Sequence, residues 1–312
     1  MEIQYAQPHK EKPDSLTAWI IITIEIVLTA FALFLSSSDN VFLWIAGQIL
    51  FAVEILHWFI LFHDFGHGIF FKSPLTNIIF GHVVSVFTLI PFYPWKHTHH
   101  SHHVWTGWKD MDPTQPEMEN MKPLMIKVMN FCWKYWIPVF CISFSLQKYW
   151  NITKLNQIYK SREIRLQNIF SIISLLIINL TLILLLQGLL FQIWLPAFIL
   201  YLIIADPLLI SQHTHIDQNE AGGKSVKVYS YKDQSIFTRT LVCPKWVSRF
   251  IFYNFEKHGL HHQFPSIPLY KLGKYEIPEE NRIGWIDWVM KARKIPGNVL
   301  MFQTHRQTGI KL

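Results

Sequence analysis

From Ile169 to Ile210 the chain runs for 42 residues without a lysine or arginine and with one acid, Asp206. As a single helix this stretch would measure about 63 Å at roughly 1.5 Å per residue, twice the ~30 Å hydrocarbon layer of a bilayer. It must therefore fold back on itself, and Gln187-Gly188 is the natural turn, giving spans of about 169–187 and 190–210. Two further runs have span length: Leu16–Leu35, interrupted by Glu25, and Val41–Phe62, interrupted by Gln48, Glu54 and His57. They correspond to spans of about 16–35 and 41–62, separated by the turn sequence SSSDN at 36–40. Composition agrees, with 51% apolar and only 16% charged residues, where a soluble domain carries about a quarter charged.

Other apolar stretches do not read as spans. Leu75–Tyr93 holds Asn77, Gly81, His82 and Pro91, and Lys72 and Lys96 flank its two ends. This predicts an interfacial or re-entrant helix over 75–93. Ile137–Leu146 is too short to cross, and 131–147 also reads as interfacial. Residues 1–15 read as a loose or interfacial arm, 104–130 as a polar loop, and 211–312 as a cytoplasmic C-terminal part. All 28 Lys and Arg fall within 1–15, 63–168 and 211–312, and none within the spans or the short turns between them. Basic residues gather on the cytoplasmic side of membrane proteins. The expectation is an all-α integral membrane protein: four transmembrane helices in two hairpins, interfacial helices and a cytoplasmic histidine-rich metal-binding cap. It forms a single domain over 1–312, multi-pass, with both termini cytoplasmic.

Several function classes drop out at this point. The net charge of +7 forms no basic stripe, so no nucleic-acid partner is expected. Cys132, Cys141 and Cys243 have neither C-x-x-C spacing nor an even count, which argues against a disulfide framework or a thiolate metal site. The first apolar run lacks a small-residue cleavage pattern, and the lack of targeting signals favours a bacterial inner membrane over an endoplasmic reticulum.

The histidines are grouped. WKHTHHSHH at 95–103 contains H-x-x-H-H as His99, His102 and His103, with His97 and His100 beside them. The pattern returns in KHGLHH as His258, His261 and His262, and HDFGH upstream supplies His63 and His67. On a helix, positions i, i+3 and i+4 share a face, so each group can aim its imidazoles at one point. Imidazole suits zinc, copper, iron and nickel. One zinc takes about four ligands; the eight histidines of these groups favour two metals over one. His9, His57, His82 and His305 stand alone and read as ordinary polar groups.

The set HDFGH, HTHHSHH and HGLHHQFP, in this order and on this hairpin layout, resembles the integral-membrane fatty acid desaturase superfamily. The resemblance runs from about Val41 to Leu272 and looks most like its omega-6 or delta-12 acyl-lipid branch. SQHTHID at 211–217 resembles a further family element that supplies one more ligand. The resemblance implies two non-haem iron ions, held by His63 and His67, His99, His102 and His103, His213, and His258, His261 and His262. His215, His97 and His100 are surplus, and the sequence leaves His213 and His215 open as alternatives. It also implies an enzyme, an oxidoreductase that uses dioxygen as co-substrate to introduce a carbon–carbon double bond into a fatty acyl lipid. Electrons would come from an external donor of ferredoxin or cytochrome type, docked on the basic cytoplasmic surface.

Ligating histidines usually donate their second N–H to a carboxylate or carbonyl. Asp64, Asp206, Asp217, Asn254 and Glu256 are the candidates for that role. Phe92, Tyr93, Trp95 and Trp105, with Trp108, are candidates for the mouth of an acyl tunnel, or equally for interfacial aromatics. A hydroxylase or ketolase of the same superfamily would use the same histidines. An intramembrane zinc protease would need H-E-x-x-H, but Asp64 stands where the glutamate would be. A metal transporter would place its site near the bilayer midplane, whereas these histidines lie at span ends.

Overall fold

The computed structural model describes residues 11–115, 121–276 and 280–312. The arm at 1–10, with His9, and residues 116–120 of the loop lie outside the described residues. Two compact units divide the chain: Glu11–His97 with Ser143–Ala205, and Thr98–Ile142 with Asp206–Leu312.

The first unit is built on an antiparallel hairpin, α1 (Ser15–Ser36) and α2 (Val41–His67). Its turn is fixed by Asn40, whose Oδ1 accepts the backbone N–H of Phe42 at 3.0 Å and of Leu43 at 3.4 Å, two of the donors a helix start leaves unpaired. Gly68, at φ 71°, ends α2 in the left-handed conformation that glycine adopts without strain. Inside the hairpin, Glu25, Glu54 and His57 are buried together, with His57 Nδ1 3.0 Å from Glu25 Oε2 and 3.7 Å from Glu54 Oε1. The hydroxyl of Thr29 donates to Glu54 Oε2 at 3.1 Å and accepts the Trp58 indole N–H at 2.9 Å. Charges in a span are costly unless paired, and this network brings Glu25, Thr29, Glu54, His57 and Trp58 of the two helices together. Thr29→Val removes the middle link and leaves Trp58 and Glu54 each one bond short. The expected cost is about 1–3 kcal/mol, read as a lower midpoint in detergent unfolding; an unchanged midpoint would dismiss the network as a stabiliser.

After α2, Ser73 caps α3 (Pro74–Thr88), which stops at Leu89. The helix α4 (Phe92–Trp105) then leaves at 104° to it. The break falls inside the 75–93 segment, between Thr88 and Phe92. Two aromatics at the start of α4 need glycine partners. A Cβ on Gly81 would lie 2.2 Å from the Phe92 ring, and one on Gly66 would lie 2.1 Å from the Trp95 ring.

The remaining helices of span length carry the long apolar run. The second unit begins its own helices with α5 (Pro123–Tyr135), and α6 (Phe140–Lys148) and α7 (Ile152–Ile158) lead on to α8 (Arg162–Leu186). The chain turns at Gln187, φ 36°, and returns through a π-turn at Leu190–Trp194 into α9 (Leu195–His213). Exposed leucines cover α8, among them Leu180, Leu184 and Leu185, a surface suited to lipid and not to water. Among the described residues, four helices are long and apolar enough to cross a membrane: Ser15–Ser36, Val41–His67, Arg162–Leu186 and Leu190–His213. The fold is all-α and membrane-type, as the apolar runs predict. The helices outrun the spans read from sequence, because polar residues continue a backbone ladder as well as apolar ones do. Thus HDFGH forms the last turns of α2 and does not follow it, and His213 closes α9.

In the second unit, a 3-10 turn (Tyr231–Phe237) leads into β1 (Thr240–Val242), α10 (Lys245–Phe250), α11 (His258–Gln263) and α12 (Leu269–Leu272). Then come β2 (Arg282–Gly284), α13 (Trp285–Ala292) and two short helices, Gly297–Phe302 and His305–Thr308. The two strands pair in parallel, with Leu241 opposite Ile283. Trp133 of α5 packs edge-on against Phe140 and Trp288 and donates its indole N–H to the Ala292 carbonyl at 3.2 Å.

Candidate metal centre

The second unit brings four imidazoles from three elements to one point. His102 comes from α4, His213 from the end of α9, and His258 and His262 from α11. Their Nε2 atoms stand 3.0 Å apart for His102 and His213, 2.8 Å for His213 and His258, and 3.1 Å for His258 and His262. All four ligand atoms lie within 4.8 Å of one another.

What holds the far nitrogens decides what the near ones can do. His102 Nδ1 lies 2.7 Å from Asp112 Oδ2, His213 Nδ1 3.2 Å from the Phe237 carbonyl, and His262 Nδ1 3.0 Å from Gln234 Oε1. Gln234 is oriented by its own amide, which donates to the His103 carbonyl at 2.7 Å. Carboxylate and carbonyl oxygens only accept, so each of these Nδ1 atoms carries the proton and each Nε2 presents a lone pair. Lone pairs about 3 Å apart with no proton between them repel. A cation at their centre removes the repulsion, and two nitrogens bound at about 2.1 Å at right angles are themselves about 3 Å apart. The donor set therefore fits a metal ion.

Electrostatics points the same way. His262 is fully buried, and burial, followed by the neighbouring His258, His213, His102 and His261, lowers its pKa well below the ordinary imidazole value. It stays neutral near pH 7 and keeps its lone pair for a ligand. Burial works against the Asp112 carboxylate, but His102 and the bonds from Thr114 outweigh it and hold the carboxyl below its usual range. The Thr114 backbone N–H and hydroxyl both reach Asp112 Oδ1, at 2.9 and 2.7 Å.

A second group forms beside the first. His103 Nε2 lies 3.1 Å from His99 Nε2 and 3.1 Å from His261 Nε2. The two groups touch where the His103 and His262 rings stack, centroids 4.1 Å apart. Each H-x-x-H-H motif was expected to aim at one point, and the geometry corrects this. Residues i and i+4 lie one above the other, whereas i+3 is rotated by about 100° from i+4 on a helix of 3.6 residues per turn. Hence His99 and His103 join one group and His102 the other, while His258 and His262 join the group of His102 and His261 that of His103. In the first unit, His63 and His67 occupy one face of α2, ring centroids 4.7 Å apart.

The other sequence candidates are placed as follows. His215 sits at φ 61° and its Nε2 meets the Thr308 hydroxyl at 2.9 Å, so of the pair left open by sequence it is His213 that stands in the cluster. His97 contacts Gln167 at 2.9 Å and His100 is exposed. Asp64 Oδ1 lies 3.4 Å from His63 Nδ1. Asp206 accepts the backbone N–H of Phe140 at 3.0 Å and of Cys141 at 2.8 Å, capping α6. Asp217 pairs with Arg306 at 2.6 Å and His305 at 3.2 Å. Glu256 accepts from Ser248, and burial raises its pKa to about 7; Asn254 donates to the Leu269 carbonyl at 3.0 Å. Phe92 and Trp95 are buried and Tyr93 and Trp105 half-buried, with Trp95 edge-on to the His63 ring at 5.7 Å. Asp112, Gln234 and the Phe237 carbonyl, which do hold the histidines, carry no motif that would have singled them out.

Comparison with known proteins bears on the same residues. The profile of the family described as fatty acid desaturase matches residues 38–285. Among relatives, the chloroplastic omega-6 fatty acid desaturase of Brassica napus is 24% identical over 270 residues, covering 83% of this chain and 59% of that protein. The fatty acid desaturase of Bacillus subtilis is 34% identical over 95 residues, 30% of this chain and 26% of that protein. The acyl-lipid omega-3 desaturase (cytochrome b5) of the endoplasmic reticulum of Arabidopsis thaliana is 33% identical over 90 residues, 28% of this chain and 22% of that protein. In these last two the match spans about a quarter of the relative's length. A profile match over most of the chain, from before the first histidine motif to beyond the third, shows that the chain belongs to the fatty acid desaturase family.

Proposed function

We propose that this chain is an oxygen-dependent acyl-lipid desaturase whose two non-haem irons are held by nine histidines. His102, His213, His258 and His262 hold one. His99, His103 and His261 are ligands of the other, and His63 and His67 of the first motif make up the nine. The observation that carries this reading is the convergence of four Nε2 atoms, three of them left proton-free by acceptors at Nδ1, with no carboxylate among the four. Imidazole suits iron, and the family supplies the choice among the metals it suits.

Bound iron would supply dioxygen activation and the removal of hydrogen from an unactivated methylene pair. The chain's own residues do the rest. Asp112, Gln234 and the Phe237 carbonyl keep the Nδ1 protons and leave Nε2 free for metal. Trp95, buried beside His63, bounds the acyl chain together with Phe92, Tyr93 and Trp105, and excludes water. Two hydrogens taken from the acyl chain reduce dioxygen only halfway to water. The other two electrons come, one at a time, from an external donor, and the other two protons from water. Relatives are named for cytochrome b5 and for ferredoxin as donors, and the basic residues outside the spans support docking of an acidic carrier of that kind. The confinement of Lys and Arg to those segments supports a multi-pass protein with both termini and the histidines on the cytoplasmic side.

Expression in a host without polyunsaturated fatty acids tests the reading. Gas chromatography–mass spectrometry of total fatty acids should show a new unsaturated species, and the purified chain should hold about two irons, as its imidazole count suits. A hydroxylated or oxo product would assign the same metal site to an oxygen-inserting enzyme. Zinc in place of iron would overturn the proposal.

A further inference from the structure

Arg239 lies between the 3-10 turn Tyr231–Phe237 and β1, and it is 2% exposed. Long cationic side chains are almost never fully buried without a partner, yet among the described residues no carboxylate pairs with this one. Burial alone moves its guanidinium, down to about 10. Its hydrogen bonds go to one place, the last turn of α9 and the residue after it. The backbone N–H donates to the Gln212 carbonyl at 2.8 Å. Nη1 donates to the Ser211 carbonyl at 2.5 Å and to the Thr214 carbonyl at 3.1 Å.

These carbonyls belong to a helix C-terminus, where unpaired C=O groups and the negative end of the dipole favour a cation. The end of α9 has no glycine to close it, and the chain continues through His215 at φ 61°. His213 lies inside the clamped segment, and its Nδ1 bonds to the carbonyl of Phe237, two residues before Arg239. Residues 237–239 thus grip residues 211–214 at four points, and His213 sits at the middle of that grip. The other imidazoles of its group are placed differently, His102 within α4 and His258 and His262 on α11.

We propose that Arg239 is the positioning residue for His213: its guanidinium clamps the end of α9 so that His213 Nε2 meets His102 and His258. This rests on the reading of His213 as a metal ligand. Without the clamp, the helix end frays and the first iron loses its α9 ligand, while His99, His103 and His261 are untouched.

The test uses the full chain, purified in detergent and loaded with ferrous iron, as Arg239→Gln, Arg239→Lys and His213→Ala. Iron per chain is measured by plasma emission, and the two iron environments by Mössbauer spectroscopy. Arg239→Gln should lose about half of the iron and one of the two spectral components, as His213→Ala does. Arg239→Lys keeps a cation at the helix end and should recover most of the loss. Retention of both components in Arg239→Gln, when His213→Ala loses one, would overturn this assignment alone. Retention of both in His213→Ala would overturn the ligand reading itself. Loss of all iron together with the helical circular-dichroism signal in both Arg239 variants would make Arg239 a residue of the fold at large and equally end the proposal.

Discussion

His262→Ala is expected to abolish desaturation and to lower bound iron from about two per chain to about one. His262 is fully buried, with Nδ1 held by Gln234 and Nε2 facing His258 Nε2 at 3.1 Å. Its removal leaves three imidazoles, opens a void against the His103 ring, and frees Gln234 to turn away from both. The loss should exceed the roughly 10–100-fold that removal of an outer partner of a metal ligand costs. His100→Ala, at an exposed position beside the histidine motif of α4, should keep full activity. Fatty acid profiles of cells expressing each variant, with iron assays of the purified chains, decide the matter. Unsaturated product within tenfold of the parent in His262→Ala would remove this histidine from the ligand set.

Asp112→Asn keeps shape and volume and should still weaken the first iron site about 10–100-fold, or about 1.4–2.8 kcal/mol. The reason is the fixed orientation of the side chain. Two donors from Thr114 reach Oδ1, so the oxygen of an asparagine takes that place. Its NH2 then occupies the position of Oδ2, 2.7 Å from His102 Nδ1. A donor there forces Nδ1 to accept, moves the imidazole proton to Nε2, and aims it at the metal. Competition for iron against a calibrated chelator measures the change. An affinity equal to that of the parent would show that the tautomer of His102 is set elsewhere.

Much of the membrane part could be read from sequence because it depends on local length and polarity. The 42-residue apolar run from Ile169 turns at Gln187, where the sequence places its turn. The histidine motifs were legible for the same reason, since their spacing is local, although the division of each motif between two groups was not. Contacts between distant segments were not legible. His57 reads as a solitary histidine, yet meets Glu25 across 32 residues and Glu54 one turn away. Gln234 bridges His262 and His103 from a turn with no distinctive pattern. Asp110 and Asp112 look alike in sequence, but one binds the backbone of Ala221 and Gly222 and the other orients His102. Periodicity reports which face of a helix a residue occupies, and the identity of what meets that face is a property of the folded chain.

The exchange of histidines between α4 and α11 also sets an order of events at biosynthesis. Neither cluster can be completed by one motif, because His102 needs His258 and His262, and His103 needs His261. The two helices are separated by more than 150 residues of chain. Until the ribosome has released α11, His102 and His213 stand without His258 and His262, and His99 and His103 without His261; on the two-iron proposal, both ions would be acquired after α9 is in place. On that proposal metallation waits for α11, and a product truncated before His258 is expected to be inert.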